Sequence, residues 1–422
     1  MAQAAGAGDH LIGTPLSTDQ TRAPNRATAD RAVADGAALA GGFGLYVHWP
    51  FCASLCPYCD FNSHVRSTVD HRRWAAALRR ELAHFAGQVG RRRLRSIFFG
   101  GGTPSLMDPA TVAAVIDGAR FHFDIDNNIE ITLEANPGSV DRDRFADFRQ
   151  AGVDRVSLGV QALDDAALRA LGRRHSAAEA LAALTVARET FARVSFDLIH
   201  GRPGQTEAAW ATELDQALAL EPDHLSVYQL TIEPGTAFHA AARRGELTLP
   251  DEDTQAALFE HTHVRLQATG LRRYEVSNHA RPGAESRHNL IYWQGGGYIG
   301  IGPGAHGRLP TGPHRMLATR QHRAPERWLE TTEQAGHATT ATETITGLTR
   351  ARELLLMGLR LADGIRTDRF ARQTGTALTD HLEPEGIADC LALGLLTHTP
   401  DQLALTDAGL PLLNAILAKI VR

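Results

Sequence analysis

Short β-type runs alternate with longer stretches of helical period along this chain, and nothing else in it limits the fold as tightly. The runs are GLYVHWP (44–50), SIFFGGG (96–102), IEITLEANP (129–137), RVSLGVQ (155–161), VSFDLIHG (194–201) and HLSVYQLTI (224–232). Between them lie helical stretches such as WAAALRRELAHFA and AAEALAALTVARETFA. Six βα units predict a parallel sheet with helices outside it. The count falls short of an eight-stranded barrel, so the expected architecture is α/β, an open, partial (β/α)6 barrel. The polar residues Glu134, Gln161 and Asp197 fall near the C-terminal ends of their runs. That is the edge where a parallel βα barrel places ligands and chemistry.

The texture of the chain divides it further. Residues 1–41 show no sustained apolar period and are expected to be a disordered tail. Residues 42–280 form the expected barrel. Residues 281–340 contain the Gly-rich stretch YWQGGGYIGIGPGAHG (292–307) and read as a connecting region. Residues 341–422 predict a small C-terminal α+β domain, with a helix, two short strands around a turn and a helix in GLLTHTPDQLALTDAGLPLLNAIL, resembling a winged helix. This segment has no basic stretch, and the formal net charge is −5, so partner binding or packing is expected there and nucleic acid is not. Lys419 is the only lysine, which removes Schiff-base chemistry and a phosphate-binding P-loop. Hydrophobic residues make up 43% and charged residues 22%, as in ordinary soluble domains. No apolar run is long enough to span a bilayer and no signal peptide is visible. The expected location is the cytoplasm, with any membrane association peripheral.

Three of the four cysteines lie within eight residues, in YVHWPFCASLCPYCDFNSH (46–64). The spacing C-x3-C-x2-C of Cys52, Cys56 and Cys59 suits a metal centre in a reducing compartment better than a disulfide framework. Three thiolates on one short loop can each bind one iron of a [4Fe–4S] cubane and leave the fourth iron open. The competing assignment is a structural zinc loop, with His48 or His64 completing the ligand set. Tyr58, just before the third cysteine, can shield such a cluster with its ring. Cys390, far along the chain, reads as a buried apolar cysteine in a helix.

The cysteine loop, placed after the first strand of a partial barrel, resembles the radical S-adenosylmethionine (SAM) superfamily. FFGGGTPS (98–105), LEANP (133–137), LGVQ (158–161), LGRRH (171–175) and DLIHGRPGQT (197–206) resemble the coproporphyrinogen dehydrogenase and HemW group within it. The resemblance implies that SAM binds the open iron by its amino and carboxylate groups. It implies Tyr46 packing near cluster and SAM, Gly101, Gly102 and Thr103 as the SAM-contacting loop, and Glu134 at the amino or ribose groups. It further implies Gln161, Arg173 and Asp197 at ribose and carboxylate. Carboxylates and amides suit hydroxyls and ammonium, and arginine suits a carboxylate. Taken singly, Arg173 or Arg174 also reads as a solvated helix charge and Glu134 as a helix cap. No catalytic residue is assigned.

Two subfamilies resemble the chain. The oxygen-independent coproporphyrinogen III dehydrogenases carry a further cysteine two residues past the third; here that position is Phe61, in CPYCDFNSH. The DFNS continuation, LTIEPGT (230–236), YEVSNHA (274–280) and RHNLIYWQGGGYIGIGPGAHG (287–307) are similar to the HemW-type heme chaperones. That similarity implies heme as a third cofactor, with His288, Tyr292 and Trp293 of the HNxxYW segment as candidate heme residues. Histidine is a natural axial ligand, and the aromatic rings can pack on a porphyrin face. His288 also reads as a structural histidine in a segment that closes the barrel, and His306 is a rival ligand. The implied function is delivery of heme to apo-proteins such as respiratory enzymes, the alternative being oxidative decarboxylation of coproporphyrinogen III.

Overall fold

The structure, a computed structural model, describes residues 41–422. The expected disordered tail therefore lies, Gly41 apart, outside the described residues. Six strands follow the expected runs: β1 (Phe43–Trp49), β2 (Arg93–Gly101), β3 (Asp124–Ala135), β4 (Arg155–Gln161), β5 (Arg193–His200) and β6 (His224–Gln229). They are parallel and hydrogen-bonded in chain order. Leu45, Val47, Ile97, Phe99, Leu133, Leu158, Phe196 and Leu198 are buried in one core. Near-continuous apolar runs are what strands covered on both faces require.

The covering helices carry the matching stripe. Helix His71–Val89 starts at Asp70, whose carboxylate accepts from the N–H of Arg73 at 3.1 Å. Its buried Trp74, Leu78, Leu82 and Phe85 recur every three to four residues and face the sheet. Trp74 meets Trp49 edge-on at 5.4 Å and stacks on Trp328 at 5.1 Å, so three distant segments share one aromatic contact.

Both edges of the sheet are extended, one by residues expected within the barrel and the other mostly by the stretch expected as a connecting region. β7 (Arg272–Glu275) and β8 (Asn278–Ala280) add antiparallel strands beyond β6. On the other side, β9 (Gly297–Ile301) pairs parallel to β1, a seventh parallel strand. β10 (His306–Gly312), β11 (Arg315–Gln321) and β12 (Thr339–Ile345) continue antiparallel. Among the described residues the sheet has twelve strands in the order β12-β11-β10-β9-β1-β2-β3-β4-β5-β6-β8-β7. The glycines that make this stretch read as loop are needed inside the strand. A Cβ on Gly300 would collide with the carbonyl oxygen of His306, where β10 folds back on β9.

The C-terminal domain has its own core, with Ala351, Leu355, Phe370, Leu403, Ile416 and Cys390 buried in it. Helices Gly347–Gly358, Thr367–Thr374, Pro384–Ala392 and Leu413–Ile420 surround a three-stranded sheet of Ile365–Arg366, Leu396–His398 and Gln402–Leu405. No helix among the described residues is long and apolar enough to cross a membrane.

Candidate cofactor site

The cysteine loop leaves the end of β1 and is closed at its base. Phe51–Cys52 pairs parallel with His64–Val65, and the N–H of His64 donates to the carbonyl of Pro50 at 2.7 Å. Asn62 pins the far side, its side-chain NH2 donating to the carbonyls of Pro303 and Arg323, each at 2.9 Å. The N–H of Phe238 donates to the carbonyl of Pro57 at 2.9 Å. The loop is thus gripped by residues from both ends of the sheet.

All three cysteines of the loop are partly exposed free thiols, whereas Cys390 is buried. Each sulfur in the loop faces a donor. Thr103 Oγ1 donates to Cys52 and Arg173 Nη1 to Cys56, both at 3.4 Å. The backbone N–H of Phe61 is directed at Cys59. Burial pushes the Cys59 thiol up to about 11 and raises Cys52 as well. Thiolates at these positions therefore need positive charge to offset desolvation, which metal ions provide. His48 does not supply a fourth ligand for zinc. Its Nδ1 lies 2.9 Å from the Tyr46 hydroxyl and its Nε2 2.9 Å from the carbonyl of Asn62. His64 Nε2 is 3.4 Å from Asn62 Oδ1.

Beside the loop, the strand ends assemble a polar floor. Gly101 has φ +112°, and a Cβ there would stand 2.6 Å from the His48 ring. Its N–H donates to Glu134 Oε2 at 3.2 Å. The N–H groups of Gly102 and Thr103 donate to the carbonyls of Trp49 and Phe51 at 2.7 and 2.9 Å, tying β2 to the base of the cysteine loop. Burial raises the carboxyl of Glu134 to about 7, with the nearby Asp197 adding to it. Asp197 is raised by burial too, against a hydrogen bond from Ser226. Gln161 sits at an irregularity in the β4–β5 pairing with φ +71°. Tyr58 is held against Phe238, ring centroids 6.3 Å apart.

Two atoms in this floor stand out. Gln161 Oε1 and Arg173 Nε are buried and have no hydrogen-bond partner among the described residues. Buried polar atoms are ordinarily paired, and both belong to residues that the SAM resemblance selects. The donor set thus fits a cluster and a SAM molecule: three thiols with donors on their sulfurs, two carboxylates for ammonium and hydroxyls, and unsatisfied amide and guanidinium atoms.

Arg155 was not singled out in the sequence, yet it belongs to this interior. It is 2% exposed, donates to Ser195 Oγ at 2.7 Å, and its charge acts on both Glu134 and Asp197. Its signal was an arginine at the head of RVSLGVQ, a run that otherwise reads as a covered strand.

The HNxxYW segment forms helix Arg287–Trp293. His288 is fully buried, with Nδ1 2.8 Å from Ser96 Oγ and Nε2 2.8 Å from the Tyr292 hydroxyl. Its ring stacks on Phe98 at 4.9 Å and on Tyr46 at 6.4 Å. Burial lowers its imidazole to about 3. Glu130 caps the helix, accepting from the N–H groups of Arg287 and His288 at 3.0 Å each, and pairs with Arg193 at 2.8 Å. Trp293 lies under the Arg360 guanidinium, 5.9 Å from the ring centroid. The structure therefore brings His288 and Tyr46 together, and turns Trp293 toward the C-terminal domain.

The chain is similar to known proteins along most of its length. Residues 46–217 match the model of the radical SAM superfamily, and residues 345–412 that of the HemN C-terminal domain. The solved structure of the Escherichia coli coproporphyrinogen III oxidase HemN superposes with a TM-score of 0.76 at 22% identity, covering 94% of this chain and 93% of that one. At that identity the likeness is one of fold. The mouse radical S-adenosyl methionine domain-containing protein 1, mitochondrial, is 41% identical over 383 residues, 89% of this chain and 87% of its own. The heme chaperone HemW of Escherichia coli is 37% identical over 375 residues, 88% of this chain and 96% of its own. With kinship of that depth across both domains, the chain belongs to the HemW family of the radical SAM superfamily.

Proposed function

We propose that this protein is a heme chaperone that holds a [4Fe–4S] cluster on Cys52, Cys56 and Cys59, binds SAM beside it, and carries heme to apo-proteins in the cytoplasm. Respiratory enzymes at the membrane are the recipients this reading favours, reached by peripheral contact. The observation that carries it is Phe61. Two residues past Cys59, where the dehydrogenases place a further cysteine, this chain offers a backbone N–H to the Cys59 sulfur and an apolar ring.

The cluster and SAM, when bound, supply one-electron chemistry. The chain's own residues position and shield. Arg173 places positive charge against the Cys56 sulfur, and its free Nε is available to a carboxylate. Glu134 and Asp197 present buried carboxyl groups to an ammonium or ribose hydroxyls. Gln161 offers an unpartnered amide oxygen to the same ligand. Tyr58 and Phe238 limit solvent access along one side of the loop. His288 is the candidate axial ligand to heme. Burial keeps its imidazole neutral at physiological pH, as coordination requires. Tyr292 holds Nε2 by its hydroxyl at 2.8 Å and would release it to a bound heme.

The test is a hemin titration of anaerobically reconstituted protein, followed by the Soret band, run beside a coproporphyrinogen III turnover assay. Stoichiometric heme binding without decarboxylation is expected. Sustained formation of protoporphyrinogen IX with SAM consumed in proportion would reverse the reading in favour of the dehydrogenase.

A further inference from the structure

Arg155 is a buried charge with no counter-ion beside it. It is 2% exposed, and a guanidinium keeps its proton in any protein setting. Among the described residues it forms no ion pair, and its side chain bonds to hydroxyls. It donates to Ser195 Oγ at 2.7 Å and reaches Thr132 Oγ1 at 3.5 Å. Ser195 Oγ in turn donates to Ser157 Oγ at 2.9 Å. A buried charge met only by neutral dipoles is costly, so its balance has to lie in carboxylates close by.

The strand register places those carboxylates. Alternate residues of a strand share a face. Thr132 and Glu134 therefore point the same way on β3, and so do Ser195 and Asp197 on β5. The register pairs Thr132 with Arg155, Glu134 with Ser157, and Ser157 with Ser195. Each hydroxyl that holds the guanidinium stands one step below a carboxyl group of the cofactor floor on its own strand, a rise of about 7 Å. Glu130, one step below Thr132, also feels Arg155. It is already met by Arg193 at 2.8 Å and by the N–H groups of Arg287 and His288. Glu134 and Asp197 form no ion pair among the described residues. Glu134 accepts from the N–H of Gly101 at 3.2 Å, and Asp197 accepts from Ser226.

The other titratable groups around this interior are neutral. Tyr46 and Tyr292 face Glu134, and Tyr228 faces Asp197; burial keeps all three phenols protonated. His224, Tyr274 and His288 face Arg155, and burial keeps both imidazoles and the phenol uncharged. Arg173 also acts on Asp197, but its Nη1 is engaged with the Cys56 sulfur. Arg155 is the arginine whose charge reaches both carboxyl groups.

We propose that Arg155 is the counter-charge of the Glu134 and Asp197 pair, a positioning residue that acts on SAM through these carboxyl groups by favouring their ionised forms. This rests on the SAM site proposed above and adds to it the group that readies its carboxylates from below.

Two measurements on the reconstituted full chain test it, with Arg155→Gln, Arg155→Met and Arg155→Lys beside the native protein. Thermal melting and iron content identify the variants that fold, and Arg155→Met supplies a second charge-removing variant that keeps the apolar stem. The first measurement uses no SAM. Infrared spectroscopy follows the protonated-carboxyl band against pH, with Glu134→Gln assigning the band. Removing one charge about 7 Å away at an effective dielectric of about 20 should move its midpoint up by about one to two pH units. Arg155→Lys, which keeps the charge, should stay near the native midpoint. The second measurement is SAM affinity by equilibrium dialysis. Arg155→Gln should lose about ten-fold at pH 7 and recover most of it by pH 9, as ionisation is restored. An unmoved carboxyl midpoint in the folded charge-removing variants would overturn the proposal. So would a loss of SAM affinity equal at every pH, which is the mark of a purely structural arginine. A shifted midpoint in a protein that binds no SAM at any pH would instead defeat the SAM site and leave the counter-charge standing.

Discussion

Arg173 donates from Nη1 to the Cys56 sulfur across 3.4 Å while its Nη2 donates to the carbonyl of Gly159 at 2.9 Å. One guanidinium therefore joins the cysteine loop to the end of β4, where Gln161 waits with an unpartnered oxygen. A cluster bound here would feel that charge directly, because hydrogen bonds and net charge near the sulfurs set its potential.

Arg173→Gln should assemble a cluster of about four irons but move its midpoint potential to more negative values. The guanidinium favours the reduced, more negative form, and glutamine removes that charge. An EPR-monitored redox titration reads the shift. Cys56→Ala, by contrast, should lose the cluster outright. An unchanged potential in Arg173→Gln would reduce this arginine to a strut for the loop.

Binding of SAM should depend on pH through Glu134. Its carboxyl is raised to about 7, first by burial and then by Asp197. The ionised form accepts from the amino N–H groups of SAM and attracts its sulfonium charge, so SAM affinity should rise as pH increases from 6 to 8, by a few-fold on the order of one titrating charge. Glu134→Gln should flatten this profile, and Glu134→Ala and Asp197→Ala should each weaken SAM by roughly ten- to a hundred-fold. Equilibrium dialysis with intact cluster checks all of these; a pH-independent native affinity would remove Glu134 from the SAM contact.

The pairing of His288 with Tyr292 makes opposite effects expected at the two positions. His288→Ala should weaken heme binding and shift the Soret maximum, with iron and sulfide content of the cluster unchanged. Tyr292→Phe removes the hydroxyl 2.8 Å from Nε2 and should tighten heme binding, since coordination no longer competes with that hydrogen bond. A Soret band untouched by His288→Ala would pass the ligand role to His306.

Glu81 tests the stability of the sheet extension. This fully buried carboxyl on helix His71–Val89 accepts from Gly302 N–H at 2.8 Å, Trp328 Nε1 at 2.9 Å and Ala338 N–H at 3.0 Å. Glu81→Ala leaves three buried donors unpaired and should cost on the order of 3–5 kcal/mol in chemical denaturation. Burial raises its carboxyl to about 7 from an ordinary 4.5. The folded protein thus holds this proton more tightly than the unfolded chain. Its contribution to stability is full below about 4.5 and is lost as pH rises through about 7. Comparing the native chain with Glu81→Gln at pH 5 and pH 8 should show the larger loss in the native chain.

Much of this protein could be read directly from its residues. The six parallel strands were legible because a covered strand must be apolar along its whole length, and that pattern is local. The cysteine loop was legible because all three thiols lie within eight residues, so their chemistry needs no folding to be recognised. Phe61 was legible for the same reason. Other features depend on partners far away in the chain. β9 looks like loop until the carbonyl of His306 is seen against Gly300. Arg155 looks out of place until Thr132 and Ser195 are seen beside it. The HNxxYW segment announced an aromatic and imidazole cluster, but the environment of His288 comes from Ser96, separated from it by 192 positions. Whether its nitrogens are free, paired or buried is set by that contact. The sequence by itself determined which chemistry the chain can carry, because residue type and short spacing fix the available ligands. Only the tertiary structure decided which of those groups are already satisfied and which remain open, because hydrogen bonding and burial are properties of neighbours in space.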